Sequence, residues 1–325
     1  MDVAHGLTLA LLLLARFQPG SDGLGDQGPW DALARFETVE SVPWSTRIRG
    51  ASGLARDPDG QLAGVLERAP GLLWKEPGGP LQVLPLSGLP SGIDLESITY
   101  WEGSGPVAGG MNPPAGAIAA LNAGRPRRWV LGTERHEART DDLLIYVETE
   151  DGAARVTGVE RVDYGASHLE VESNQGLEAL CAVGPDLLLF IERTVEDERG
   201  SLTPILWFRP GVGVRSVRWL RMTTKTGRIS DADCRPTPDG GAEVLAIERH
   251  YGVSRLISFV VPASEEGPIH AELQLNLARH FPLPLPNFEG LSRAADGSLW
   301  ILSDNDPPST SGLRPTLLLR VSFTD

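Results

Sequence analysis

The sequence predicts an all-β fold. Three observations carry that prediction: a hairpin-shaped segment that recurs five times, Asp-Gly turns inside those segments, and a surplus of turn-forming residues. The last is the simplest. The 325 residues include 37 Gly and 26 Pro, roughly a fifth of the chain. Such a composition favours many short strands and argues against a helical bundle.

The recurring segment is read by aligning the chain on itself. The copies are SGLA (52–55) with DPDG (57–60) and LAGVLER (62–68); DLESITY (94–100) with WVLGTERH (129–136); NQGLEAL (174–180) with GPD (184–186) and LLLFIER (187–193); ISDAD (229–233) with PDGG (238–241) and AEVLAIERH (242–250); and NFEGLS (287–292) with ADG (295–297) and SLWILSDND (298–306). Each copy is a short strand opening on a small or acidic residue, a tight turn, and a second apolar strand closing on an acid. Asp-Gly supplies the positive φ that a two-residue hairpin needs. Further apolar runs at 142–149, 204–210, 255–262 and 316–323 serve as outer strands. Four-stranded units repeated every 40–60 residues describe a β-propeller. The expectation is a single propeller domain over 26–325, with five blades, or six if residues 32–50 join the last strand in a separate blade. The Gly, Pro and Ala-rich stretch 102–127 reads as a long loop inserted in the second unit.

Residues 1–25 read as a leader. Leu7 to Ala15 (LTLALLLLA) is long enough for a signal-peptide core and too short to span a bilayer, although Met1 to His5 carries no Lys or Arg. A periplasmic or secreted, monomeric protein without a membrane span is expected. The net charge is −14, which leaves no basic face for nucleic acid and suits a divalent cation. The two cysteines, Cys181 and Cys234, exclude a cysteine-based zinc cluster. They fall at matching places in successive units and read as small buried residues. A bridge between them is the alternative if the chain is exported.

Aligning the first strands superposes Ser52, Glu96, Glu178, Asp231 and Glu289. Four carboxylates at one level would repel unless protonated or shared by a cation. Calcium suits an all-oxygen set, so Glu96, Glu178, Asp231 and Glu289 are the candidate metal ligands. The second strands return to the same rim and end in Glu67-Arg68, Glu134-Arg135-His136, Glu192-Arg193, Glu248-Arg249-His250 and Asp304-Asn305. Alternation turns each adjacent Glu and Arg to opposite faces. Arg135, Arg193, Arg249 and Asp304 are the candidates for binding an anionic ester substrate, and Glu134, His136 and His250 for catalysis. Inter-blade ion pairs are the competing reading of the Glu-Arg repeats. No nucleophile-elbow, zincin, Walker or dinucleotide-binding motif is present.

NFEGL with LWILSDND and PTLLLRV, NQGLEAL with LLLFIER, ISDAD with PDGG and EVLAIERHYG, and SGLARDPDG resemble blades of the family described as esterase-like activity of phytase, over about residues 48–323. Asp233, where other units carry Leu or Ile, and the inserted loop depart from that pattern. The resemblance implies an exported hydrolase of phosphate or carboxylic esters. A propeller that only binds a ligand or protein partner, with calcium purely structural, is the alternative from a different class.

Overall fold

The computed structural model describes residues 25–43, 48, 50–67, 71–103, 126–134, 142–172, 175–250, 252–264, 267–282, 284–304 and 315–324. The expected leader and nearly all of the expected inserted loop lie outside these residues. Among the described residues the chain is all-β, with two single-turn 3₁₀ segments, and no helix is long and apolar enough to cross a membrane.

The strands form five four-stranded antiparallel units among the described residues, each running outward from an inner strand. The first unit is Ala51–Arg56, Leu62–Leu66, Gly71–Lys75 and Gln82–Ser87, and the second Asp94–Tyr100, Arg127–Glu134, Leu143–Glu150 and Ala153–Arg161. The third is Leu177–Val183, Asp186–Ile191, Gly200–Arg209 and Gly213–Arg221, with Val195–Asp197 added beside its third strand. The fourth is Arg228–Pro236, Ala242–His250, Val253–Val261 and Glu272–Asn276. The fifth is Asn287–Arg293, Leu299–Asp304, Thr316–Phe323 and, at its outer edge, Ala34–Val42 from the start of the chain. Within the 32–50 stretch, Ala34–Val42 does pair with the last strand, as expected, but it completes the fifth unit instead of founding a sixth. Parallel pairing of Leu86 and Ser87 with Ala154 and Arg155 joins units one and two at their outer edges. The result is an eight-stranded sheet whose two end strands lie side by side, so that it is nearly closed.

The turns obey their chemistry. The repeated turns are longer than the expected two residues: five residues separate the first and second strands in units one, four and five, and there only the glycine, Gly60, Gly240 or Gly297, has positive φ. The two-residue turn with both φ positive (49° and 76°) is at Asp151 and Gly152, between the outer strands of unit two. Second strands such as Leu62–Leu66 and Asp186–Ile191 are buried along their whole length, because both faces are covered by neighbouring units. A separate apolar cluster fills each junction. Leu72, Trp74, Trp129 and Ile145 pack units one and two together, and Phe190, Trp207, Val244 and Phe259 pack three and four. Leu54, Leu66, Leu302 and Leu318 close the fifth unit on the first. Trp101 is buried against Tyr146 in the junction of units two and three, which makes it part of the core.

The inner strands crowd the axis. Gly53 has φ +56°, and a Cβ there would lie 2.8 Å from the Cα of Ser97, so no other side chain fits. Cys181 and Cys234 form a disulfide across the inner strands of units three and four, with Cα atoms 5.6 Å apart. This corrects the expectation of two unbridged residues. Inner strands of neighbouring units approach closely enough here to meet the geometric limit on a bridge.

Candidate functional site

A β-bulge near the start of every inner strand sets up the site. The partner register skips one residue between Ser52 and Leu54, Leu95 and Ser97, Leu177 and Ala179, Ile229 and Asp231, and Phe288 and Gly290. The bulged residues are therefore Gly53, Glu96, Glu178, Ser230 and Glu289. A bulge leaves one residue out of the ladder and re-aims its side chain. Three of the five are glutamates, matching the sequence alignment in units two, three and five.

Unit four differs from the expected alignment by one residue. Asp231 follows the bulge, and a slip of one place turns a side chain to the other direction. Its buried carboxylate accepts backbone N–H bonds from Leu54 (3.0 Å), Ala232 (2.9 Å) and Leu291 (2.6 Å). It thus reaches across the axis from unit four to unit one. Burial holds its pKa well above the usual carboxylate range, against the pull of those three bonds. Asp231 is a structural plug and does not join the acids at the rim. Asp233 plays a related part, clamping Arg293 of unit five through its backbone N–H (3.0 Å) and Nε (2.5 Å).

The second strands return to the bulge level. Asp94 faces Glu134, Asn287 faces Asp304, and Arg228 faces Arg249 in register, while the Glu192 N–H bonds to the Gly176 carbonyl at 2.8 Å. Glu134, Glu192, Arg249 and Asp304 are therefore equivalent. Glu248, one place earlier than Arg249, points the other way. It is buried under the hydroxyls of Thr223 and Thr224 and the Thr224 N–H (2.9 Å). The expected opposition of adjacent Glu and Arg holds, but the acid faces the rim in unit three and the arginine does so in unit four.

Carboxylate oxygens of Glu134, Glu178 and Glu192 lie within 4.8 Å of one another. All three side chains are half-buried. Burial raises the Glu134 pKa to about 7, helped by the charges of Glu192, Asp142 and Asp94 and opposed by the Gly176 N–H. Glu178 is pushed well above the usual range by burial and by Glu192, Glu134 and Glu289, with Arg249 opposing. Glu96 is raised likewise, by burial and then by Glu67, Glu178, Glu134 and Glu289. Glu289 is buried and is also raised to about 7, first by burial, although Arg249 and Asn287 pull it down. Its Oε1 accepts from Arg249 Nη2 at 2.8 Å and Asn287 Nδ2 at 2.7 Å. Arg249 Nη1 donates to Asn287 Oδ1 at 2.7 Å, and Asn287 Nδ2 lies 3.4 Å from Asp304 Oδ2. Arg228 is ion-paired with Glu192. His250 is half-buried beyond Arg249, its pKa lowered by burial and then by Arg228 and Arg249, which leaves a neutral imidazole near pH 7.

The structure thus gathers Glu96, Glu134, Glu178, Glu289, Asp304 and Arg249 around one mouth and takes Asp231 out of that group. Arg193 is half-buried, and its N–H caps the hairpin on the Gln175 carbonyl at 3.3 Å. Arg135 and His136 lie outside the described residues. Sequence reasoning passed over two groups. Glu192 stood in the repeated Glu-Arg ending, but the adjacent Arg193 was chosen in its place. Arg228 precedes the recognised ISDAD segment, and the residues at its position in units two and five, Asp94 and Asn287, are not basic.

The donor set fits a hard cation. Among the described residues it offers carboxylate oxygens only, both cysteines are in the disulfide, and no described imidazole belongs to the cluster. Calcium, magnesium or manganese suits such ligands, and zinc or copper does not.

A family model described as phytase-like, esterase-like activity of phytase, matches residues 88–307, and the chain belongs to that family. No curated protein matches the chain. Among solved structures, the PQQ-bound aldose sugar dehydrogenase of Streptomyces coelicolor is 11% identical with a TM-score of 0.48, covering 91% of this chain and 100% of that one. A putative glucose dehydrogenase from Thermus thermophilus is 11% identical with a TM-score of 0.47, covering 89% and 100%. An endo-arabinase from Bacteroides thetaiotaomicron is 11% identical with a TM-score of 0.46, covering 85% and 95%.

Proposed function

We propose that this chain is an exported, monomeric, five-bladed propeller that hydrolyses phosphate or carboxylic esters at the mouth of its channel, with calcium held by Glu134, Glu178 and Glu192. The observation that carries the reading is the meeting of three carboxylates with oxygens within 4.8 Å, beside an arginine that faces the same mouth. Family membership supports the ester chemistry, and the disulfide and the apolar leader support export.

Each side chain has a part. Glu134, Glu178 and Glu192 hold the cation, and Glu96 adds negative charge behind them. A bound divalent cation supplies charge neutralisation for the ester oxygens and for the negative charge that builds up as the bond breaks. Arg249, fixed by Glu289 and Asn287, presents its guanidinium to the anionic group of the substrate. His250 is neutral near pH 7 and can take a proton from an attacking water. Asp304 steadies Asn287 and, through it, Arg249.

The test is release of phosphate from phytate, and of nitrophenol from nitrophenyl phosphate and nitrophenyl acetate, by the full chain with calcium or with chelator. Calcium-dependent turnover that vanishes in Glu178→Gln supports the reading. A folded protein that binds calcium and turns over none of these substrates favours the binding propeller.

A further inference from the structure

The arginines of unit four pose a question that cation binding alone does not answer. Arg228 and Arg249 are direct register partners on adjacent antiparallel strands, so they share a face and stand side by side. Like charges directly opposite on a sheet repel. Here each is held by an acid from a different neighbouring unit: Arg228 by Glu192 of unit three, Arg249 by Glu289 of unit five. The two tethers are not alike. Glu289 also accepts from Asn287 and stands outside the three-carboxylate group. Glu192 is a member of that group. The carboxylate that restrains Arg228 is therefore one of those a cation would claim.

We infer that Arg228 is a cation-gated anion-binding residue: when a divalent cation draws Glu192 into its shell, Arg228 is released to pair with Arg249 on a phosphate-type anion. Two adjacent guanidiniums offer parallel N–H forks to a tetrahedral dianion, which also relieves their mutual repulsion. Without the cation, Glu192 occupies the Arg228 fork and the anion meets Arg249 alone. By linkage, the anion strengthens cation binding by the same factor. This inference rests on the proposed cation site. It adds that cation and anion bind cooperatively and that phosphate esters are preferred over uncharged esters.

The experiment measures inorganic phosphate affinity by calorimetry on the full chain, in calcium and in chelator, with calcium affinity measured separately against a fluorescent chelator. In the wild type, calcium is expected to tighten phosphate binding by about tenfold or more. Arg228→Gln should still bind calcium, at least as tightly, and lose that gain. Glu192→Gln should weaken calcium yet bind phosphate tightly in chelator, because its amide no longer holds Arg228. This second variant also decides the matter if Arg228→Gln does not fold. Undiminished calcium enhancement in Arg228→Gln, or phosphate binding in Glu192→Gln that is as weak as in the calcium-free wild type, overturns the inference while leaving the cation site standing. A wild type that binds no calcium overturns the cation site, and the coupling with it.

Discussion

Units two and four occupy matching places in the same repeat and present opposite charge to the same mouth. At the bulge, unit two carries Glu96 and unit four carries Ser230; at the facing pair, unit two has Asp94 and Glu134 where unit four has Arg228 and Arg249. The backbone is alike in both, with the same bulge, the same antiparallel return and the same rim. The repeat therefore builds a ring of equivalent positions, and substitution within that ring divides it into an acidic half (units two and three) and an arginine half (unit four, braced by unit five), which on the proposed reading hold the cation and the anion. A site for a charged ester needs both. Acids alone would hold a cation but repel the substrate, and arginines alone would bind the anion without a counter-charge for the leaving oxygen.

Each half of the mouth can be disabled by substitution, with the largest loss expected on the acidic side. Glu178→Gln removes the one bulge carboxylate among the three clustered glutamates of the acid half. Calcium-dependent hydrolysis should fall by about 10²–10³-fold in kcat/KM while the fold is kept, as phosphate release would report. The Cys181–Cys234 bridge fastens the acid half to the arginine half and spans 53 residues of sequence. Replacing both with serine should cost about 2–4 kcal/mol of stability, read by denaturant unfolding. Asp231→Asn places an amide among three N–H donors. It should cost about 1–3 kcal/mol in the same assay without weakening calcium. A loss of calcium affinity there would return Asp231 to the ligand set.

The smallest effect is on pH. Glu134 and Glu289 have pKa values of about 7 in the folded state, above the ordinary 4.5 that applies when the chain is unfolded. Between those values the folded state binds more protons than the unfolded one, so stability falls as pH rises. In chelator, the melting temperature should therefore be higher at about pH 5 than at about pH 7.5, as far as these two groups set it. Calcium should shrink the difference, since it stabilises the ionised carboxylates. Calorimetric scans in both conditions would show whether the acid half is relieved by the cation. Identical pH profiles with and without calcium would count against it.

The architecture was legible because it is written many times. Glycine-bearing turns, apolar second strands and an acid at the strand end recur, and each maps onto an observed hairpin, although the turns of units one, four and five run to five residues and not two, with positive φ at Gly60, Gly240 and Gly297 alone. The site was legible only where it shares in that repetition. Glu96, Glu178 and Glu289 lie on bulges and Glu134 on the rim, where the alignment placed them. Unit four escaped because its bulge falls on Ser230, a residue with no chemical signature. The nearest acid, Asp231, lies one place away and draws the alignment to itself, and with it Glu248 into the place that Arg249 holds. One residue of register separates a buried plug from a rim ligand. Arg228 was invisible for a related reason, since its importance lies in its register partner and in Glu192, and neither is near it in sequence. The disulfide was kept only as the alternative because it depends on the distance between neighbouring inner strands, which spacing along the chain does not report.

The division of the mouth is tested most directly by titrating calcium into the full chain and into five variants, Glu134→Gln, Glu178→Gln, Glu192→Gln, Asp231→Asn and Glu248→Gln. The first three should each weaken calcium binding by about tenfold or more, and the last two should leave it within about twofold, since their carboxylates are committed to backbone and hydroxyl donors. Calcium affinity that survives the first three, or that is lost with Asp231 or Glu248, would contradict the division of the mouth into a cation half and an anion half.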